Sequence, residues 1–285
     1  MRANIINRII HTFLLLALCA VMGACSSDGG KDGNADSSAP EPKENREIVV
    51  FVAASLRESI QELGGMFEKQ TGTRVMFNLA GSNELARQII AAPKADIFLS
   101  AAENWMDTVE QAKRVVGGTR SSLLSNMLVV VAKEGSEWKL DEPCGLTTLK
   151  YKNLALGDPE AVPAGHYARQ WLGSVQCNGM PLWDAVKDKV APTPDVRAAL
   201  AQVIANPDML GMVYKTDWMA FQDRARVLYE VKDGPPISYA VAQIAESPNP
   251  DGAAKFLAYL KGAEAKSVFE KHGFTLTAQQ GSPTP

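Results

Sequence analysis

The sequence predicts an α/β fold of two doubly wound lobes joined by a two-strand hinge. Three observations predict it. Strand-like apolar runs alternate with segments of helical periodicity, the βαβαβ rhythm of a doubly wound sheet. Several of those runs are apolar without alternation, as in strands covered on both faces. A second set of runs opens near Met127, and the chain turns back to the first set near Ile237, so two segments cross between them. The 285 residues are 46% hydrophobic and 21% charged, enough apolar material for two modest domains and too much for a wholly disordered chain.

Residues 1–24 read as an export signal. Arg2 and Arg8 precede the apolar run 13–22, which is shorter than the ~18 residues of a membrane span. Gly23-Ala24-Cys25 resembles a bacterial lipobox, whose cysteine is lipidated and becomes the mature N-terminus; an ordinary secretory signal cut nearby is the other reading. Residues 25–46 hold that cysteine and a stretch of Ser, Asp, Gly, Lys, Pro, Glu and Asn. So little apolar surface does not offset the entropy of ordering, and the stretch reads as a flexible tether.

Lobe 1 is expected over 47–125 and 237–277. Residues 47–54 form a near-continuous apolar strand. Ser55-Leu56-Arg57-Glu58 matches the S-x-x-E capping box, which predicts Ser55 as the N-cap of a helix through Leu56, Ile60, Leu63 and Phe67, stopped by Gly72. Residues 73–79 are a second strand. Ala80-Gly81 turns the chain, and Ser82 opens a helix through Leu85, Ala86, Ile89 and Ile90. Residues 95–100 are a third strand.

Lobe 2 is expected over 126–236. Its strands are read at 127–132, 154–157, 189–191 and 210–214. A helix carrying Tyr167, Ala168, Trp171 and Leu172 follows Val162-Pro163-Ala164-Gly165, and one carrying Val196, Leu200 and Val203 follows Pro194-Asp195. The chain then returns to lobe 1 with a strand at 238–245 and helices at 253–260 and 263–272; residues 278–285 read as a loose tail.

Composition narrows the function. A net charge of −3 argues against nucleic-acid binding, which runs on clustered positive charge. Three scattered histidines (His11, His166, His272) and no CxxC pair argue against a transition-metal site. Of four cysteines, Cys19 leaves with the signal and Cys25 takes the lipid. Cys144 and Cys177 remain, in a compartment that permits a disulfide, and the sequence leaves open whether they meet.

Ser55, Ser82, Ala164 and Val196 share one physical situation. Each is at or just inside a helix start that follows a strand or turn, and such starts gather at the carboxyl edge of an α/β sheet. A helix start offers unsatisfied N–H groups and about half a positive charge, so several facing one point hold an anion without a charged side chain. The serine hydroxyls and Tyr214 add donors. Taken singly, each serine is equally an ordinary N-cap and Tyr214 an ordinary core residue.

Several motifs, in order, resemble the periplasmic molybdate-binding proteins of bacterial ABC transporters. They are Phe51-Val52-Ala53-Ala54-Ser55-Leu56, Ala80-Gly81-Ser82-Asn83-Glu84-Leu85-Ala86-Arg87-Gln88-Ile89 and Ala95-Asp96-Ile97-Phe98-Leu99-Ser100-Ala101. The residues from Gly157 to Ala168, then Asp195-Val196-Arg197-Ala198-Ala199-Leu200 and Gly211-Met212-Val213-Tyr214, continue the resemblance. It implies a two-lobed type II solute-binding protein with Ser55, Ser82, Ala164, Val196 and Tyr214 as the molybdate ligands, acting through hydroxyls and backbone N–H groups. Molybdenum is then held through its oxygens, with no direct metal ligand and no cofactor. Gly81 stands where relatives often carry serine, which implies a looser loop. Arg87 and Arg197 adjoin proposed site residues and read as helix residues on the surface or behind the site.

The expected function is extracytoplasmic capture of molybdate, and of tungstate, by a lipid-anchored monomer facing the periplasm. Delivery is to an ABC transporter permease, with no nucleic-acid partner. A binder of another tetrahedral oxyanion, sulfate or phosphate, is the nearer alternative. A serine hydrolase using Ser55 with His166 or His272 is the distant one: Ser55 lacks the G-x-S-x-G elbow.

Overall fold

In this computed structural model the described residues are 47–277; the export signal, Cys25 and its tether, and the tail at 278–285 lie outside them. The first sheet opens with β1 (Glu47–Ala53), followed by the 3-10 turn Ala54–Leu56 and helix α1 (Arg57–Thr71). Then come β2 (Arg74–Ala80), α2 (Ser82–Ala91), β3 (Ile97–Ser100), α3 (Glu103–Gln111) and β4 (Ser121–Ser125). The unbroken apolar run of β1 has a direct cause in its two covered faces. Ile48, Val50 and Val52 point into a core shared with Leu56, Ile60 and Leu63 of α1, while Phe51 points the other way, toward Leu85 and Ile89 of α2.

The second sheet begins two residues later. Its part of the chain runs through β5 (Leu128–Lys133), β6 (Asn153–Gly157), α4 (Pro163–Ser174), a separate two-stranded hairpin of β7 (Gln176–Cys177) and β8 (Met180–Pro181), and α5 (Leu182–Val186). Next are β9 (Val190–Thr193), α6 (Val196–Ala205), β10 (Met209–Tyr214), α7 (Lys215–Met219) and β11 (Ala225–Glu230). The chain returns to the first sheet as β12 (Tyr239–Gln243), α8 (Pro250–Leu260), α9 (Ala263–Lys271) and β13 (Thr275–Leu276). Cys144 and Cys177 are joined in a disulfide that ties β7 to the 3-10 turn Pro143–Thr147.

Strand order is β13-β4-β12-β3-β1-β2 in the first sheet and β11-β5-β10-β6-β9 in the second. β1 runs parallel to β2 and β3, and β6 parallel to β9 and β10; β12, β4 and β13 pair antiparallel, as do β5 and β11 with their neighbours. Each sheet is therefore mixed, with the parallel strands feeding the helices.

Two segments join the lobes: Asn126 with Met127, and residues 231–238. Glu103 ties β4, the strand that leads into the first crossing, to Ser238 at the end of the second. Its Oε1 accepts hydrogen bonds from Ser122 at 2.7 Å and Ser238 at 2.6 Å, and its Oε2 pairs with Arg120 at 2.6 Å. Burial works against ionisation there, but the bonds from Ser238, Arg120 and Ser122 hold the Glu103 carboxyl below the usual range.

Candidate anion-binding site

Ser55, Ser82, Ala164, Val196 and Tyr214 are all buried, and all five line one small cavity between the lobes, with Gly81, Ala101 and Asp195 among their neighbours. Two lobe-1 and two lobe-2 helix starts converge there. Its lining holds no lysine, arginine or histidine.

Each start has a local reason. α2 begins at Ser82 with Gly81 as the residue before it. α4 begins with Pro163 at its first position, where the ring's fixed φ suits a helix and no intrahelical donor is lost. Gly165 lets that start press onto the end of β6: a Cβ there would lie 1.8 Å from the Gly157 carbonyl oxygen, an impossible contact. α6 is capped by Asp195, whose carboxylate accepts from the Ala198 N–H at 2.8 Å. The cap engages the only carboxylate in the cavity wall and leaves the N–H groups of Val196 and Arg197 as the free donors of that first turn.

The hydroxyls are oriented by partners. Ser82 Oγ accepts from the Ala101 N–H at 2.9 Å, which frees its own proton for an acceptor in the cavity. Ser55 does not cap α1 as its S-x-x-E motif predicts. It sits inside the 3-10 turn, α1 has no side-chain cap, and Ser55 Oγ lies 2.9 Å from the Tyr239 phenolic oxygen instead. A tertiary partner has displaced a local one. Asn126 Nδ2 donates to that phenolic oxygen at 3.1 Å and to Thr216 Oγ1 at 2.9 Å, while Asn126 Oδ1 accepts from the Met127 N–H. With Asn126 donating to it, Tyr239 can give its own proton to Ser55, an arrangement that leaves the Ser55 proton for the cavity.

The Tyr214 hydroxyl is buried with no hydrogen-bond partner among the described residues. Burial, then the neighbouring Tyr239, Tyr167 and Asp217, push it well above the ordinary tyrosine range, so it stays a donor. A buried orphan donor is costly unless an acceptor arrives.

Gly81 corrects the sequence reading, while Arg87 and Arg197 take the two places it allowed. Gly81 is tightly held: a Cβ there would lie 2.5 Å from Asn83 Oδ1 and 2.8 Å from the Pro194 carbonyl oxygen of the opposite lobe. Arg87 is an exposed helix residue donating to the Asn83 carbonyl. Arg197 is not on the surface. It is half-buried behind the site, its side chain 12% exposed, with its Nε 2.6 Å from Asp217 Oδ1 and its Nη1 3.1 Å from Glu58 Oε1. The Nε–H is not aimed at Asp217, so that contact is ionic, not a directed hydrogen bond. Tyr239, Asn126, Glu58 and Asp217 escaped sequence reasoning, since each acts through a partner far away in the chain.

For the hydrolase alternative, the geometry is wrong. Ser55 Oγ pairs with a phenol, and His272 Nε2 is engaged by Glu62 at 2.8 Å. Among the described residues no cluster of His, Cys, Asp and Glu is placed to hold a metal ion, and no helix is long and apolar enough to cross a membrane.

Two α/β lobes on a two-strand hinge, closing over a cavity of neutral donors, define a two-lobed solute-binding protein. The chain belongs to the family of bacterial extracellular solute-binding proteins, whose sequence pattern matches residues 48–275. It is 39% identical over 234 residues to the molybdate-binding protein ModA of Escherichia coli K12, which covers 80% of this chain and 89% of that protein. Among solved structures it resembles a substrate-binding domain attributed to a molybdenum ABC transporter of Clostridium difficile, at 30% identity and a TM-score of 0.63, covering 81% and 99% of the two chains. The periplasmic molybdate-binding protein of Azotobacter vinelandii shares the fold at 19% identity, with a TM-score of 0.69 over 81% of this chain and 100% of that one.

Proposed function

We propose that this protein binds molybdate between its lobes and delivers it to an ABC transporter permease, with tungstate as a second ligand. The observation that carries the reading is the Tyr214 hydroxyl, a buried donor without a partner, in a cavity that also gathers two oriented serine hydroxyls and the helix starts of α2, α4 and α6. Ser55, Ser82 and Tyr214 donate through hydroxyls. Ala164 and Val196 donate through backbone N–H groups, joined by those of the serines. The dianion is held by dipoles and hydrogen bonds alone, so its release breaks no ion pair with the protein.

The ligand is recognised by size. A tetrahedral oxyanion with long metal–oxygen bonds reaches donors on both lobes at once. The smaller sulfate leaves some donors unpaired, and each unpaired buried donor weakens binding. Calorimetric titration of the soluble body with molybdate, tungstate, sulfate and phosphate tests this. Stoichiometric heats are expected for the first two, and tight sulfate binding would overturn the ligand assignment.

On the same reading the protein is an exported monomer, lipidated on Cys25 and held at the membrane by that anchor alone. The lipobox-like Gly23-Ala24-Cys25 supports this, as does the Cys144–Cys177 bridge, which suits an oxidising compartment. Lobe 1 takes 47–125 with 237–277, and lobe 2 takes 126–236. Mass spectrometry of the native N-terminus tests the anchor; an unmodified N-terminus at another residue would exclude it.

A further inference from the structure

Among the ion pairs of the described residues, only Arg197 with Glu58 crosses from one lobe to the other. Arg197 is in the first turn of α6, next to Val196. Glu58 is in the first turn of α1, three residues after Ser55. Each partner thus adjoins a residue of the cavity, yet neither side chain lines it.

We propose that Arg197 is a positioning residue for anion retention: fixed in place by lobe 2, it captures Glu58 of lobe 1 when the cleft closes, and so latches the two walls of the site together. The inference rests on the oxyanion-binding reading above and names the device that holds the closed state.

Three features argue for a latch and not merely a contact. First, Arg197 is anchored by its own lobe. Asp217, fully buried at the start of α7, sits at 2.6 Å, and the guanidinium carbon lies 5.6 Å from the Phe221 ring centre. These contacts do not involve lobe 1, so the guanidinium is in place before closure. Second, Asp217 balances the Arg197 charge when Glu58 withdraws. Opening therefore strands no unpaired cation in the protein, which keeps the step reversible. Third, the engagement is bidentate. Nη1 meets Oε1 at 3.1 Å, and Nη2 meets Oε2 in a second close hydrogen bond. A two-pronged contact fixes angle as well as distance. One peptide away, that angle sets where the Val196 N–H points.

A latch made only in the closed state acts on escape, not on encounter. The Glu58 side chain is 34% exposed, so the effect is moderate: Glu58→Gln should raise the molybdate dissociation rate about 3- to 10-fold and leave the association rate within about 2-fold. Melting without anion should be unchanged, which a merely structural role would not allow. Glu58→Asp, which keeps the charge, should recover part of the retention. The excess dissociation rate of the Gln variant should shrink at high ionic strength, where the wild-type pair is itself screened.

The deciding experiment pairs those kinetics with inter-lobe distances from spin labels at Lys69→Cys and Ala185→Cys, both exposed positions, with the Cys144–Cys177 bridge left oxidised. Without anion, Glu58→Gln should carry a smaller closed fraction than the otherwise identical protein. Distance distributions and dissociation rates that coincide in the two proteins would overturn the latch. If the wild type gives no molybdate heat at all, the ligand reading falls, and the anion-free distances still decide whether Glu58 and Arg197 bias closure.

Discussion

Ser55 and Tyr239 stand 184 positions apart in the chain, and their hydroxyl oxygens lie 2.9 Å apart behind the anion cavity. Tyr239 sits on β12, the strand that re-enters lobe 1, and its own partner Asn126 sits on the other crossing. The Ser55 hydroxyl, which lines the cavity, is therefore held by residues at the two crossings.

Removing the Ser55 hydroxyl deletes a hydrogen bond to an anion, worth about 1.5–3 kcal/mol, so Ser55→Ala should weaken molybdate binding roughly 10- to 150-fold. Tyr239→Phe leaves Ser55 in place and removes its orienting partner, along with the acceptor of one Asn126 bond. It should cost less, about 3- to 10-fold, because a misdirected hydroxyl still has some probability of pointing correctly. Calorimetry on the two variants and their double mutant checks the order. A double mutant no weaker than Ser55→Ala would show that the tyrosine acts through the serine.

At Val196 the proposed function calls on the backbone N–H and not on the side chain. Val196→Ala keeps the N–H and should bind within about 3-fold of wild type, whereas Val196→Pro removes the donor and should lose about 10-fold or more. Proline is tolerated in a helix's first turn, so the fold survives; circular dichroism of the variant, measured beside its titration, checks that.

Asp217 gives a pH signature of known sign. Burial, opposed by Arg197, raises its carboxyl from an ordinary 3.8 to about 6. Between those values the folded protein holds a proton that the unfolded chain does not, so this group's contribution to stability falls as pH rises from about 4 to about 6. Asp217→Asn does not titrate. Its melting temperature relative to wild type should therefore climb across that range and level off above it. A difference independent of pH would refute the shifted carboxyl.

The Cys144–Cys177 bridge closes a loop with a sequence separation of 33 within lobe 2. Removing it with paired alanines should destabilise the protein by about 2–4 kcal/mol, mainly by freeing the unfolded chain. Both cysteines lie outside the cavity lining, so molybdate affinity at 25 °C should persist. Denaturant titration and calorimetry on one preparation separate the two effects.

Much of this was legible in the sequence because it is local. β1 and β10 announce themselves as uninterrupted apolar runs, and the starts of α2, α4 and α6 follow from the turn and capping residues before them. β4 and β11 were missed. Ser121–Ser125 holds only two buried residues and Ala225–Glu230 one, so neither carries the apolar signature of an inner strand. Ser55 shows the opposite failure: its capping motif is intact, but Tyr239 out-competes the helix for its hydroxyl. The Arg197–Glu58 pair, 139 positions apart and across the cleft, has no local pattern to betray it.

The two connections between the lobes are unequal. One is just Asn126 and Met127, with the Asn126 side chain bonded to Thr216 on lobe 2 and Tyr239 on lobe 1; the other runs over residues 231–238. A short, cross-braced link has few torsions to turn, and an eight-residue one has many. The lobes are thus pinned at Asn126, beside Ser55, and joined by a longer strap along 231–238. A hydrogen bond from the Trp105 indole to the Ala161 carbonyl, at 2.9 Å, also crosses between the lobes, so the closed arrangement is held away from that pin as well as beside it.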